Sequence, residues 1–262
     1  MSRDLMHSAE VKELVRDAYR NVPATTAAVA RKLYGAEDLA LVPQVAVDRA
    51  LGVADHLRHA HIGAGETVLD VGCGGGIDTV LAARRTGPEG RVIALDFLPE
   101  MLERTAVAVE RAGLRNVELL EAEMEALPLG DDSVDVVVSN GVFNLSPRKS
   151  RVMAECHRVL RRGGRLCVSD LTVDEDLPPE ILTQPTAWAG CVSGAMAEEG
   201  FVHKLRRTGF HSIDVPFREP MSVDDCALYP LFSPEVIRMM RELVPAERQG
   251  GVAVAVVVRA LA

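Results

Sequence analysis

The residues best suited to chemistry lie together in Asp70-Val71-Gly72-Cys73-Gly74-Gly75-Gly76. An apolar run precedes them and a helical pattern follows, so the glycines let backbone approach a ligand at the carboxyl end of a strand. Their spacing selects the ligand. A dinucleotide fingerprint, G-x-G-x-x-G, needs glycine at position 77, where Ile77 stands. Gly72, Gly74 and Gly76 instead give G-x-G-x-G, with Asp70 two positions ahead.

A carboxylate at Asp70 organises such a loop near a cationic amino-acid group, directly or through water, and is a poor neighbour for diphosphate. Asp96 stands 26 positions later, at the end of the next apolar run. There a carboxylate can accept both hydroxyls of a ribose. Ribose together with an amino acid points to S-adenosylmethionine (SAM) and away from a nicotinamide dehydrogenase. A tight turn beside an unrelated cap is the bland alternative; the succession strand, loop, helix, strand, acid speaks against it.

An alternation of strands and helices must position these groups. Residues 67–71 read as a strand buried on both faces, and residues 77–85 as a helix ending before Gly87-Pro88. Residues 91–97 form a second strand, followed by a helix opened by Pro99 and ended by Gly113. Residues 117–123 and 134–140 supply two more strands. A helix from Ser146-Pro147 stops at Gly163-Gly164, before a fifth strand at residues 165–170. The result is α/β, a doubly wound parallel sheet.

Beyond it the rhythm breaks. Residues 172–199 form an insertion carrying Pro178-Pro179, Trp188 and Cys191. A helix over about 199–208 and a strand near 211–215 precede a mostly helical insertion at 220–250, and residues 252–259 are a last strand, making seven. Residues 1–62 read as a helical cap and 63–171 as the cofactor core, with 200–262 completing the sheet. No repeat or low-complexity linker divides residues 1–262, so one domain is expected.

Composition narrows the partners. The chain has 262 residues, is 48% hydrophobic and 26% charged, and carries a formal charge of −9, which favours a globular fold over disorder. Its basic residues are scattered, and that charge disfavours nucleic-acid binding. The odd cysteine count, 5, without CxxC spacing, leaves no zinc or redox pair and no metal is expected. Residues 1–20 mix charged and apolar side chains, unlike a signal peptide, and the apolar run 252–258 is far shorter than the ~20 residues of a spanning helix. A cytoplasmic address without membrane association is therefore expected; the oligomeric state is left open.

With these residues in view, the chain resembles the class I SAM-dependent methyltransferases, whose fold is a seven-stranded Rossmann-like sheet. The resemblance rests on Val68-Leu69-Asp70-Val71-Gly72-Cys73-Gly74, on Asp96, on Ala122-Glu123-Met124-Glu125-Ala126-Leu127-Pro128 and on the turn Arg158 to Gly164. It implies that Glu123 accepts from the adenine amino group and that the Met124 backbone meets the ring. Phe97 and Leu98 would pack on an adenine face, with Asn140 also at the cofactor.

Further stretches resemble one branch, the arsenite methyltransferases: Leu33 to Leu39 with Pro43, Gly76-Ile77-Asp78, Ser139 to Pro147, and Ala189 to Ala195. The match spans most of residues 30–210. That branch binds trivalent arsenic through thiolates at three places, which here are Val53, Gly141 and Cys191. One thiol cannot form a two- or three-sulfur site, so the scaffold is expected to persist without the metalloid chemistry.

A small organic acceptor becomes the first reading, with arsenite or another metalloid the alternative and a non-catalytic SAM-binding protein a third. His56, oriented by Asp55, is the candidate general base, the alternative being a solvent-facing connector rich in histidine. Gly141 and Phe143 are expected to shape the floor near the methyl, and Asn144 to hydrogen-bond the acceptor. Trp188 lines the acceptor pocket or packs the insertion. Cys191 contacts the acceptor or packs behind the pocket. Tyr19 and Tyr34 lie over the cofactor or staple the cap.

Overall fold

A computed structural model describes residues 8–20, 22–173, 178–182, 184 and 188–262. Parts of the expected cap and of the 172–199 insertion thus fall outside the described residues.

The apolar run after Glu66 becomes β1 (Thr67–Val71), buried along almost its whole length because β2 (Arg91–Asp96) and β4 (Val134–Asn140) flank it in parallel. With β3 (Val117–Glu121), β5 (Leu160–Thr172), β6 (His211–Met221) and β7 (Ala253–Leu261), the sheet has the order β3-β2-β1-β4-β5-β7-β6. Strands β1 to β5 run parallel, and β7 is antiparallel to both β5 and β6. The expected seven-stranded doubly wound sheet is present. Its order reverses between β1 and β4, which opens a crevice at their carboxyl ends.

Several strand ends differ from the sequence reading. β5 starts five residues before Arg165 because Leu160 already pairs with Val134; the next pair is Arg165 with Val136, so the Gly163-Gly164 turn is absorbed as a bulge. Gly163 takes φ +77° there. β3 stops at Glu121, before the expected Glu123. β6 runs on past Val215 through Pro216 and Pro220, which an edge strand tolerates because one side needs no ladder.

The period-two alternation of the strands divides the core. Val68, Val136 and Val138 face a layer containing α6 (Ile77–Thr86) and cap residues Val11, Val15, Val29 and Leu57. Leu69, Val71 and Val137 face the opposite layer, where Met153 and Cys156 of α8 (Lys149–Val159) meet Phe201 and Leu205. Burying each such side chain contributes roughly 1.5–3 kcal/mol. The cap comprises α1 (Ser8–Arg20), α2 (Ala27–Leu33), α3 (Ala36–Ala40), α4 (Gln44–Val47) and α5 (Leu57–Ala60). α7 (Pro99–Arg111) follows β2, α9 (Pro179–Leu182) lies in the insertion, and α10 (Glu198–Thr208) precedes β6. The stretch after β6 carries α11 (Val223–Cys226) and α12 (Pro234–Leu243). Among the described residues no helix is long and apolar enough to cross a membrane.

Phe201 lies on the layer away from the cap, 6.4 Å from the Phe143 ring. Phe201→Ala is expected to cost about 3–5 kcal/mol of stability, read from urea unfolding, while the cofactor affinity of the folded fraction stays unchanged.

Candidate active site

The crevice at the switch point is a cleft with about 1090 Å³ of open space, its mouth included. The loop after β1 forms one wall. Its Gly72 and Cys73 amides donate to the Leu95 carbonyl at 2.7 and 2.9 Å, which bends the chain away from the sheet. Gly72 adopts φ +79°, and a Cβ there would lie 2.5 Å from Val142. A side chain at Gly75 would meet the Arg49 carbonyl at 2.9 Å. Gly76, at φ +89°, turns the chain into α6.

Asp96 joins this loop to the second strand. Its carboxylate accepts from the Gly74 amide at 3.2 Å and the Leu98 amide at 3.1 Å. Burial pushes its pKa up to about 6, against the opposing pull of the Leu98, Gly74 and Phe97 amides. It is therefore mainly ionised at neutral pH. Asp96 lines the cleft, where a carboxylate can accept from a vicinal diol. Phe97, Leu98 and Met124 supply apolar surface beside it. The glycine cradle, the carboxylate and the apolar flank fit an adenosyl group carrying an amino acid.

Asp70 stands behind the wall. Its carboxylate accepts from Thr79 Oγ1 at 2.5 Å and does not line the cleft. Burial, with Asp78 adding repulsion, raises its pKa to about 8. Asp70 thus ties β1 to α6 from behind the loop.

Asn140, at the end of β4, is the hub of the far wall. Its Oδ1 accepts from Val53 N at 2.8 Å and Ser169 Oγ at 2.6 Å. Its Nδ2 lies 3.0 Å from Asp78, 3.1 Å from Tyr34 Oη and 2.9 Å from the Ala54 carbonyl. The Tyr34 hydroxyl donates to Asp78 at 2.9 Å. Tyr34 and Asn140 both line the cleft, joined by an acid that the sequence reading left without a role. Asp78 sits in the first turn of α6, where an acid is also explained by the helix dipole, and that explanation hides it.

The cap closes the mouth through α1. Lys12, Val15 and Tyr19, at helical spacing, line the cleft, and Lys12 Nζ lies 2.6 Å from Glu123. Arg16 sits 5.9 Å above the Phe97 ring. Glu123 lines the cleft near Met124, its carboxylate spanning to the cap. Lys12 and Val15 carried no signal in the sequence beyond an amphipathic pattern.

The expected catalytic pair separates. Asp55 faces Arg58 at 2.6 Å, whereas His56 is fully buried with its Nδ1 4.0 Å from Asp78. Burial lowers the His56 pKa, and neither ring nitrogen has a hydrogen-bond partner among the described residues. His56 is buried and does not line the cleft, so it is not a solvent-facing connector.

The acceptor-side residues also divide. Gly141, at φ +74°, lines the cleft. Phe143 does not: the turn after Val142 points it into the opposite layer beside Phe201. Asn144 is locked away, donating to Asp170 at 2.7 Å and to the Leu171 carbonyl at 2.6 Å. Trp188 donates to the Leu145 carbonyl at 3.3 Å, packing the insertion without reaching the cleft. Leu145, Ser146 and Val142 occupy the wall assigned to Phe143 and Asn144. The Cys191 thiol donates to the Gly141 carbonyl at 3.1 Å, and burial raises its pKa well above the usual value.

Fold, glycine loop and terminal carboxylate define a class I SAM-dependent methyltransferase. The methyltransferase domain family matches residues 62–210, and the chain belongs to it. It is 40% identical over 182 residues to the arsenite methyltransferase of Halobacterium salinarum, a match covering 70% of this chain and 46% of that one. It is also 40% identical over 107 residues to the demethylmenaquinone methyltransferase of Listeria welshimeri, covering 40% and 45% of the two chains. The chain thus spans about half the length of the curated relatives it matches. Among solved structures it is similar to the arsenic(III) SAM methyltransferase from Chlamydomonas reinhardtii, with a TM-score of 0.65 and 27% identity. That superposition covers 95% of this chain and 73% of the other.

Two outcomes test this geometry. Asp96→Ala should weaken S-adenosylhomocysteine binding by about 1.5–3 kcal/mol, and wild-type affinity should fall as pH drops through about 6, where Asp96 protonates; calorimetric titration from pH 5 to 8 reads both. Asp70 is raised in the folded state, so its contribution to the ligand-free protein is favourable below its unfolded pKa and is lost as pH rises toward about 8. Asp70→Asn should flatten that fall in melting temperature.

Proposed function

We propose that the chain transfers the methyl group of SAM to a small organic acceptor, releasing S-adenosylhomocysteine and methylated product. Bound SAM supplies an electrophilic methyl on a sulfonium. The chain's own residues hold and shield it. Asp96 accepts the ribose hydroxyls, the glycine loop admits the amino-acid end, and the Lys12 side of α1 covers the adenine side. The Asn140, Tyr34 and Asp78 network keeps a fixed polar edge beside Gly141, and the apolar cap faces exclude water.

The acceptor half of the reading rests on the gathering of Val53, Gly141 and Cys191. A Cβ at Gly141 would lie 3.4 Å from Val53, and Cys191 Sγ is 3.1 Å from the Gly141 carbonyl. The places matching the arsenite branch's thiols are neighbours in space, yet one sulfur stands among them. Trivalent arsenic, a soft ion, draws its affinity from several thiolates. Cys191 is a single, buried, protonated thiol. The similarity to the Halobacterium salinarum arsenite methyltransferase supports a metalloid acceptor as the second reading.

Incubation with arsenite, SAM and glutathione separates the two. The organic-acceptor reading expects no methylated arsenic above a protein-free control, and no arsenite-induced shift in melting temperature. Methylated arsenic whose formation disappears in Cys191→Ser would reverse it.

A further inference from the structure

Among the described residues, the basic side chains that line the cofactor cleft are Lys12 and Arg49. Lys12 has its counter-charge in Glu123, 2.6 Å away. Arg49, just past α4, has neither an ion pair nor a hydrogen bond among the described residues. The acids close to it in the chain or in the cleft are committed elsewhere. Asp48 accepts from Gln44 Nε2 at 2.7 Å, and Asp78 from Tyr34 and Asn140. Arg104 of α7 adds a second cation: burial lowers its pKa first, and the charge of Arg49 lowers it next. A guanidinium does not shed its proton to relieve such crowding, so the cleft carries a positive charge without a protein counter-ion.

That charge stands against the glycine loop. A Cβ on Gly75 would lie 2.9 Å from the Arg49 carbonyl and 3.1 Å from Arg49 Cβ. The loop spends most of its amides on the protein itself. Gly72 and Cys73 donate to the Leu95 carbonyl, Gly74 to Asp96, and Gly76 to the Cys73 carbonyl at 2.9 Å. Among the described residues the Gly75 amide has no acceptor. The donor left over in the loop and the cation left over in the cleft are therefore neighbours. An ammonium would be repelled there, whereas a carboxylate has lone pairs for both an amide and a guanidinium fork.

We propose that Arg49, with the Gly75 amide, binds the carboxylate of the cofactor's amino-acid end, and that this contact makes the cleft select cofactors that retain it. Arg49 is then a cofactor-positioning residue. Asp96 holds the ribose and Arg49 the opposite end, and a molecule held at both ends has its sulfur fixed between them. This assignment depends on the cofactor class alone and holds for either acceptor.

Calorimetry tests it without turnover. The ligands are S-adenosylhomocysteine, its decarboxylated analogue, which keeps the amine, and 5′-methylthioadenosine, which lacks the amino-acid group. The wild type should bind S-adenosylhomocysteine about tenfold or more tightly than the decarboxylated analogue. Arg49→Met should remove that preference by weakening S-adenosylhomocysteine about tenfold or more, with 5′-methylthioadenosine affinity unchanged. Arg49→Lys, which keeps the charge and loses the fork, should restore part of it. Arg49→Gln is the second neutral variant if Arg49→Met does not fold, and the preference of the wild type decides alone if neither does. A wild type indifferent to the carboxylate, a folded neutral variant that keeps the preference, or one that weakens every ligand alike would overturn the role of Arg49 and leave the methyltransferase reading in place. Failure of S-adenosylhomocysteine to bind the wild type would instead overturn that reading.

Discussion

The Asp96 carboxylate ties the molecule's main parts together. One oxygen takes the Gly74 amide from the loop after β1, and the other takes the Leu98 amide at the start of α7. That bridge adds to the Gly72 and Cys73 amides on the Leu95 carbonyl in holding the glycine loop against the end of β2. Burial makes ionisation there costly, and the amides recover part of the cost. The cleft therefore contains a preformed carboxylate acceptor.

The far wall uses the same device with more members. Asn140 links the cap through Val53 and Tyr34, the glycine-loop helix through Asp78, and β5 through Ser169. A network in which nearly every donor has a partner fixes one geometry, since any shift leaves a buried polar atom unpaired. His56 stands at its edge, fully buried, and that burial lowers its pKa. The same physics places Asp70 behind the loop: it is tied to Thr79 and serves as an anchor between strand and helix.

Cys191 persists beside Gly141, but Val53 and Gly141 bring no second or third sulfur to it. Apolar side chains from the cap and the C-terminal insertion pack behind Tyr19, whose hydroxyl, like that of Tyr229, is turned onto a backbone carbonyl.

Much of this was legible before any coordinates. The sequence by itself determined the sheet, because apolar runs closed by glycines and separated by helical patterns admit few other topologies. It also determined the cofactor loop, because Gly72, Gly74, Gly76 and Asp96 act through backbone conformation and strand position, which are local properties. Tertiary structure alone decided what depends on the direction in which a side chain points. Phe143 and Asn144 follow Gly141 within three residues, yet a single turn sends them away from the cleft. Asp55 and His56 are adjacent in the chain but face different partners. Lys12, Val15 and Tyr19 reach the site only because α1 lies across it, a long-range contact that local spacing does not encode.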